Sequence, residues 1–139
     1  MHTMQTFHFK IASPERVVFE EEVFSVSLPT EIGEITILPH HIPLISNVVA
    51  GEIVARNNSQ IFSLAVSGGF LEITPNEVTL LADTAERAEE IDEARAEEAR
   101  KRAQQLLTEK NKDAVEYATL AAKIQKELAR LRVARKRKR

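Results

Sequence analysis

Three groups of residues in this chain have types and spacings that could do chemistry. His40 and His41 stand between Pro39 and Pro43. Imidazoles ligate metals, but an adjacent pair without a third ligand makes a poor site, and packing within a turn is the plainer role. The second group is Ile91-Asp92-Glu93-Ala94-Arg95-Ala96. Asp92 suits a helix N-cap, with Ile91 and Ala96 as a hydrophobic staple across it. Arg95 then falls in the first turn, where it opposes the helix macrodipole by about 0.3–1 kcal/mol and wants an anion nearby. Glu98, three residues on, is one such anion, and a phosphate drawn to the helix end is another. The third group runs from Tyr117 to Arg139, with nine basic residues and one acid, Glu127. Lys123, Lys126, Arg130, Arg132 and Arg135 precede a closing Lys136-Arg137-Lys138-Arg139. Such a stripe meets nucleic acid, an anionic membrane or an acidic protein surface, or else is a solvated face.

Other chemistries are excluded by what is missing. There is no cysteine, so no disulfide scaffold, thiol nucleophile or thiolate metal site exists. Gly33, Gly51 and the Gly68-Gly69 pair form neither GxGxxG nor GxxxxGK[ST]. No nucleophile, base and orienting group stand together, and the chain reads as a non-enzyme. No apolar run approaches the roughly 18 residues needed to span a bilayer, and Met1–Lys10 lacks the core of a signal peptide, so a cytosolic protein is expected.

The elements that position these groups follow from a change in composition. All glycines, prolines and phenylalanines lie before Asp83, whereas 12 of the residues from Ala85 onward are alanine. Residues 1–84 carry 3 Lys+Arg against 10 Asp+Glu, and residues 85–139 carry 16 against 11. Gly and Pro punctuate strands, while an alanine-rich stretch without them favours helix. A division near 83–90 is expected, with domains 1–84 and 85–139.

In the first part, Phe7, Phe9 and Ile11 alternate with polar residues. So do Phe24, Val26 and Leu28; Ile35 and Ile37; Phe62, Leu64 and Val66; Leu71 and Ile73; Val78 and Leu80. Period two puts each set on one face of a strand, and short strands at this spacing suggest a sandwich or flattened barrel. The second part predicts two helices, Ile91 to about Glu109 and from Asp113 onward, joined at Lys110-Asn111-Lys112-Asp113 into an antiparallel hairpin. Asn111 suits a left-handed cap and Asp113 an N-cap. The second helix carries an apolar stripe of Tyr117, Leu120, Ala121, Ile124, Leu128 and Leu131. Much of the hairpin's apolar stripe is alanine, so it buries little area and needs a host surface.

Taken in order, these stretches resemble the epsilon subunit of F-type (rotary) ATP synthase. The match rests on Ser13-Pro14-Glu15, the run Gly33 to Leu44, Ser67-Gly68-Gly69-Phe70-Leu71-Glu72, and Val78-Thr79-Leu80-Leu81-Ala82-Asp83. It continues through Ala85-Glu86 and Ile91 to Ala96, and ends at Leu131-Arg132-Val133-Ala134. The resemblance implies a ten-stranded β-sandwich followed by a two-helix carboxy-terminal domain. It implies a non-catalytic rotor subunit that couples the catalytic head to the proton-driven ring of c subunits. The sandwich would bind the gamma subunit, with Glu31, Ile32, Gly33 and Glu34 at the c-ring and His41 near gamma. The location implied is peripheral, on the cytoplasmic face of a bacterial membrane, through the complex alone and without nucleic acid.

The resemblance also implies a mobile hairpin. Folded on the sandwich it permits ATP hydrolysis; extended into the head it blocks it, with Lys123, Lys126, Arg130, Arg132 and Arg135 facing acidic beta subunits within the alpha/beta head. No cofactor is required. ATP enters as a regulatory ligand through the motif I/L-D-x-x-R-A, matched by Ile91, Asp92, Arg95 and Ala96, with Glu86, Arg102, Lys126 and Arg130 completing the set. Lys126 stands where ATP-binding members carry arginine, and so lacks its planar fork. Thr36 replaces a glycine common in the family, and His40 replaces the usual Gly or Asn. The alternative reading is a basic-tail module that binds nucleic acid or anionic membrane.

Overall fold

The computed structural model describes residues 5–109 and 112–137. Eight strands come first: β1 (Phe7–Ala12), β2 (Val17–Val23), β3 (Ser25–Thr30), β4 (Gly33–Ile37), β5 (Leu44–Arg56), β6 (Ile61–Ile73), β7 (Glu77–Ala82) and β8 (Ala85–Arg87). A short 3-10 turn, Ala88–Glu90, leads into α1 (Glu93–Thr108) and α2 (Ala114–Arg137). The strands therefore continue past Thr84 through β8, which pairs with β6.

The strand order is β2-β1-β7-β6-β5-β3-β4, with β8 beside β6. The β1–β7 ladder is parallel, and the other ladders are antiparallel. The alternating residues point inward: Phe7, Phe9, Ile11, Val26, Leu28, Ile37, Leu64, Val66, Leu71, Ile73, Val78 and Leu80 are all buried in one core. Phe24 lies between β2 and β3, outside both. β2 escapes the alternation because it is an edge strand, and its Glu20, Glu21 and Glu22 are exposed. Charges there blunt the free edge.

The expected ten strands are eight among the described residues, and the reason lies in β5 and β6, each 13 residues long. In β5 the core takes Val48 and then Ile53 and Ala55; in β6 it takes Leu64 and Val66 and then Leu71 and Ile73. The inward parity changes midway along both strands. Their partners split accordingly: β7 pairs with Gly69–Ile73 of β6, and β8 with Leu64–Val66. Each long strand therefore passes through both layers of the sandwich. The crossing is tight at Gly69, where an added Cβ would lie 2.4 Å from Leu81 O. Only a residue without a side chain permits that approach.

Both helices begin on the expected aspartates. Asp92 Oδ1 accepts from Arg95 N at 3.1 Å, and Asp113 Oδ1 accepts from Glu116 N at 2.8 Å. Each satisfies a donor that the first helical turn leaves free. Ile91 is extended rather than helical, so α1 starts two residues later than expected. α2 lies directly on β5 and β6, and α1 packs on α2. Ala96 and Ala103 of α1 are buried, with Ile124, Ala129, Leu131, Val133 and Ala134 of α2. Tyr117, expected on the apolar stripe, is exposed together with Val115. The cap expected at Asn111 and the last basic residues, Lys138 and Arg139, lie outside the described residues.

Candidate functional site

The turn between β3 and β4 presents Glu31, Ile32, Gly33 and Glu34, all exposed. Thr30 Oγ1 donates to Gly33 O at 2.6 Å and accepts from Ile32 N at 3.3 Å, which closes the turn. Gly33 sits at φ 117°, a conformation that favours glycine. Asn47 on β5 braces the turn by donating to Glu31 Oε1 at 3.2 Å. Ile32 is left 91 % exposed at the tip.

His41 is half-buried, and its Nδ1 donates to Ile42 O at 2.7 Å. His40 donates through Nε2 to Gln5 Oε1 at 2.5 Å and holds a left-handed φ of 66°. That conformation suits the Gly or Asn that the resemblance leads one to expect there, since both adopt it more readily than most residues. Thr36, the other departure, sits opposite Ser27 on β3 with their hydroxyls 3.0 Å apart.

A further surface escaped the sequence reading. Ile45 and Val49 on β5, Phe70 on β6 and Leu81 on β7 are exposed on the side of the sheet opposite the core. Phe70 is the cross-strand partner of both Asn47 and Leu81. The signal was present as apolar residues at the off-phase positions of β5, β6 and β7.

The residues assigned to nucleotide fall into separate small groups. Arg130 lies between two carboxylates: Nη1 donates to Glu127 Oε1 and Oε2 at 3.0 and 2.8 Å, and Nη2 to Glu86 Oε2 at 3.2 Å. Its Nε is 2.8 Å from Glu86 Oε1 but lacks hydrogen-bond alignment. Burial pulls the guanidinium pKa down, and Glu86 and Glu127 more than offset this, leaving it above its ordinary value. Glu127, the one acid of the basic stretch, is 3 % exposed and thereby explained as Arg130's partner.

Arg95 does not pair with Glu98. Its side chain is 84 % exposed, with Nε 3.9 Å from Asp92 Oδ2, while Glu98 takes Arg102 at 3.0 Å. A glutamate four residues ahead of an arginine is the better-oriented helical pair. Ile91 packs on Ala65, Ala88 and Val133, and Ala96 is fully buried. Lys126 has no hydrogen bond or ion pair among the described residues. Nor does any such contact among them link Arg95 or Arg102 to Arg130.

The basic helix is only partly free in this arrangement. Arg135 pairs with Glu93 and Glu97 of α1 at 3.0 and 3.3 Å. Lys123 and Arg132 are exposed without such partners among the described residues. Arg132, Arg135 and Lys136 border an open groove of about 530 Å3 with Glu52, Leu128 and Leu131. No described helix is long and apolar enough to cross a membrane.

Comparison with known proteins covers both parts of the chain. The ATP synthase delta/epsilon chain beta-sandwich domain matches residues 6–88, and the long alpha-helix domain of the same chain matches residues 89–135. The ATP synthase epsilon chain of Dehalococcoides mccartyi is 47 % identical over 135 residues, covering 97 % of this chain and 96 % of its own. That of Chloroflexus aggregans is 45 % identical over 127 residues, covering 91 % of each. In fold, the chain resembles one in the Euglena gracilis mitochondrial ATP synthase (OSCP/F1/c-ring), with TM-score 0.79 at 17 % identity, over 93 % of this chain and 81 % of that one. The nucleic-acid or membrane-binding alternative finds no support among these relatives. Through both its sandwich and its helices, the chain belongs to the ATP synthase delta/epsilon family.

Proposed function

We propose that the chain works as the epsilon chain of an F-type ATP synthase, a non-catalytic element of the central stalk. The observation that carries this is the exposed apolar row of Ile45, Val49, Phe70 and Leu81 on a sandwich whose other outer face is taken by α2. A sheet face left apolar beside a covered one fits a permanent partner, and the gamma subunit is the partner proposed. The Ile32 turn reaches the c-ring, with Glu31 and Glu34 at its rim, and His41 stands near the gamma contact. Replacing Phe70 with Asp in the full chain tests the reading. Loss of co-purification with gamma supports it; an undiminished complex overturns the assignment of this face.

The hairpin is the regulatory part. Docked, it leaves hydrolysis permitted; extended, its second helix brings Lys123, Lys126, Arg130, Arg132 and Arg135 to acidic surfaces of the alpha/beta head. ATP favours the docked state through Ile91, Asp92, Arg95 and Ala96, aided by Glu86, Arg102, Lys126 and Arg130. Arg95 and Lys126 are the cations open to phosphate, since Arg130 is held by two carboxylates. ATP at about ten times its Kd supplies roughly 1.4 kcal/mol, enough to switch a nearly balanced pair of states. Replacing Arg95 with Ala then raises inhibition of hydrolysis at high ATP. Unchanged inhibition at every ATP level removes the sensor.

A further inference from the structure

Glu86, Ala65 and Glu52 are consecutive partners across three adjacent strands, β8, β6 and β5. Against this row lie Arg130, Val133 and Lys136 of α2, spaced i, i+3 and i+6. Arg130 pairs with Glu86 at 2.8 Å, Val133 packs with Ala65, and Lys136 pairs with Glu52 at 3.3 Å. The two rows have matching pitch. Neighbouring strands are about 4.8 Å apart, and three helical residues rise about 4.5 Å.

We infer that this acid–small–acid row is a recognition surface for a basic–apolar–basic helix, and that it sets the register in which α2 docks. Chemistry at each position supports this. Ala65 is small enough to let the helix approach, and among the described residues its cluster adds Ala88, Val133 and Ile91. So thin an apolar contact specifies little by itself, and the outer carboxylates do the discriminating. Sliding α2 by three residues would bring Glu127 to Glu86 and Arg130 onto Ala65, setting like charges together and leaving a cation on a methyl group. Sliding it the other way would put Val133 on Glu86 and Lys136 on Ala65. Both alternatives leave partly buried charge unpaired, which is unfavourable. Glu52 is further held by Ser63, whose Oγ donates to its carboxylate at 2.6 Å. When the hairpin leaves, the row is uncovered as a seat for the same helix on return.

The inference rests on the proposed mobility of the hairpin, and its test separates the two. Amide hydrogen exchange would be followed in the full-length chain for Leu128–Ala134 of α2 and for Phe9, Leu71 and Leu80 of the core. Glu86→Gln should speed exchange in α2 by roughly tenfold, the scale of one lost charge-assisted contact, and Glu52→Gln, whose lysine partner is half-exposed, by roughly threefold, with the core unchanged in both. Glu21→Gln, an exposed acid on β2 far from α2 in strand order, controls for the change in net charge. The swap Glu52→Lys with Lys136→Glu should restore protection lost in either single variant. If the row variants exchange like Glu21→Gln while α2 still opens ahead of the core, the hairpin is mobile and the row is not its seat. If α2 and core amides exchange together in every protein, mobility fails and the inference falls with it. Should Glu86→Gln loosen the core, the Glu52 swap decides alone.

Discussion

Gly69 on β6 passes so close to Leu81 on β7 that an added Cβ would sit 2.4 Å from the Leu81 carbonyl oxygen and 2.9 Å from Ala82 Cα. Both obstacles are backbone in a paired ladder, so neither can swing aside. Gly69→Ala is expected to destabilise the sandwich by about 1–3 kcal/mol, the usual range for forced overpacking. Denaturant unfolding measures it; a change below about 0.5 kcal/mol, the range of ordinary surface substitutions, would mean the strands can part cheaply.

His40 offers the opposite case. It holds φ 66° on an exposed turn, where a side chain costs more than glycine does. His40→Gly is expected to stabilise the chain by about 0.5–1 kcal/mol, the relief of left-handed strain less the flexibility glycine adds to the unfolded chain. A loss of stability would show that the hydrogen bond to Gln5 outweighs that strain.

His8 gives a pH signature. In the protonated ring, Nε2 donates to Glu20 at 2.7 Å and Nδ1 to Glu22 at 3.2 Å. The hydrogen bond to Glu20 raises the imidazole pKa above its ordinary value, partial burial opposes this, and Glu22 adds to the rise. A raised folded-state pKa stabilises below the unfolded value of about 6.5, and the gain is lost as pH rises through the folded-state value. The stability difference between the natural chain and His8→Gln should therefore be larger at about pH 5.5 than at about pH 9. A pH-independent difference would leave His8 a packing residue.

Ile32 separates folding from docking. At 91 % exposure it contributes little to the core, so Ile32→Ser should alter stability by less than about 0.5 kcal/mol. In reconstituted complexes, ATP-driven proton pumping should nevertheless fall. Normal pumping would remove the turn from the proposed c-ring contact.

Much of this was legible beforehand, for identifiable reasons. Strands with one wet face announced themselves by alternation, as in Phe7, Phe9 and Ile11. β2 did not, because an edge strand carrying Glu20, Glu21 and Glu22 lacks a regular period, and β5 did not, because its buried parity changes partway. Asp92 and Asp113 were readable as caps because capping is local. The Arg95–Glu98 pair, one of the two options open for Arg95, does not form because Glu98 has a competing partner, Arg102, in the better orientation. The register of α2 on the sheet could not be read, since Glu52 and Lys136 lie 84 positions apart and only the folded sheet sets Glu86, Ala65 and Glu52 in line.

The parallel pairing of β1 with β7 also fixes the order in which the molecule can be completed. β1 can form a hairpin with β2 early, but its other edge waits for Glu77–Ala82. During synthesis, the layer containing the first strand stays open until the last strand of that layer has emerged, a long-range closure of the kind that slows folding. The helices emerge later still, onto a sheet whose β5 and β6 are already made. The helical arm is thus a late addition to a finished body, laid onto a surface that the earlier steps have already built.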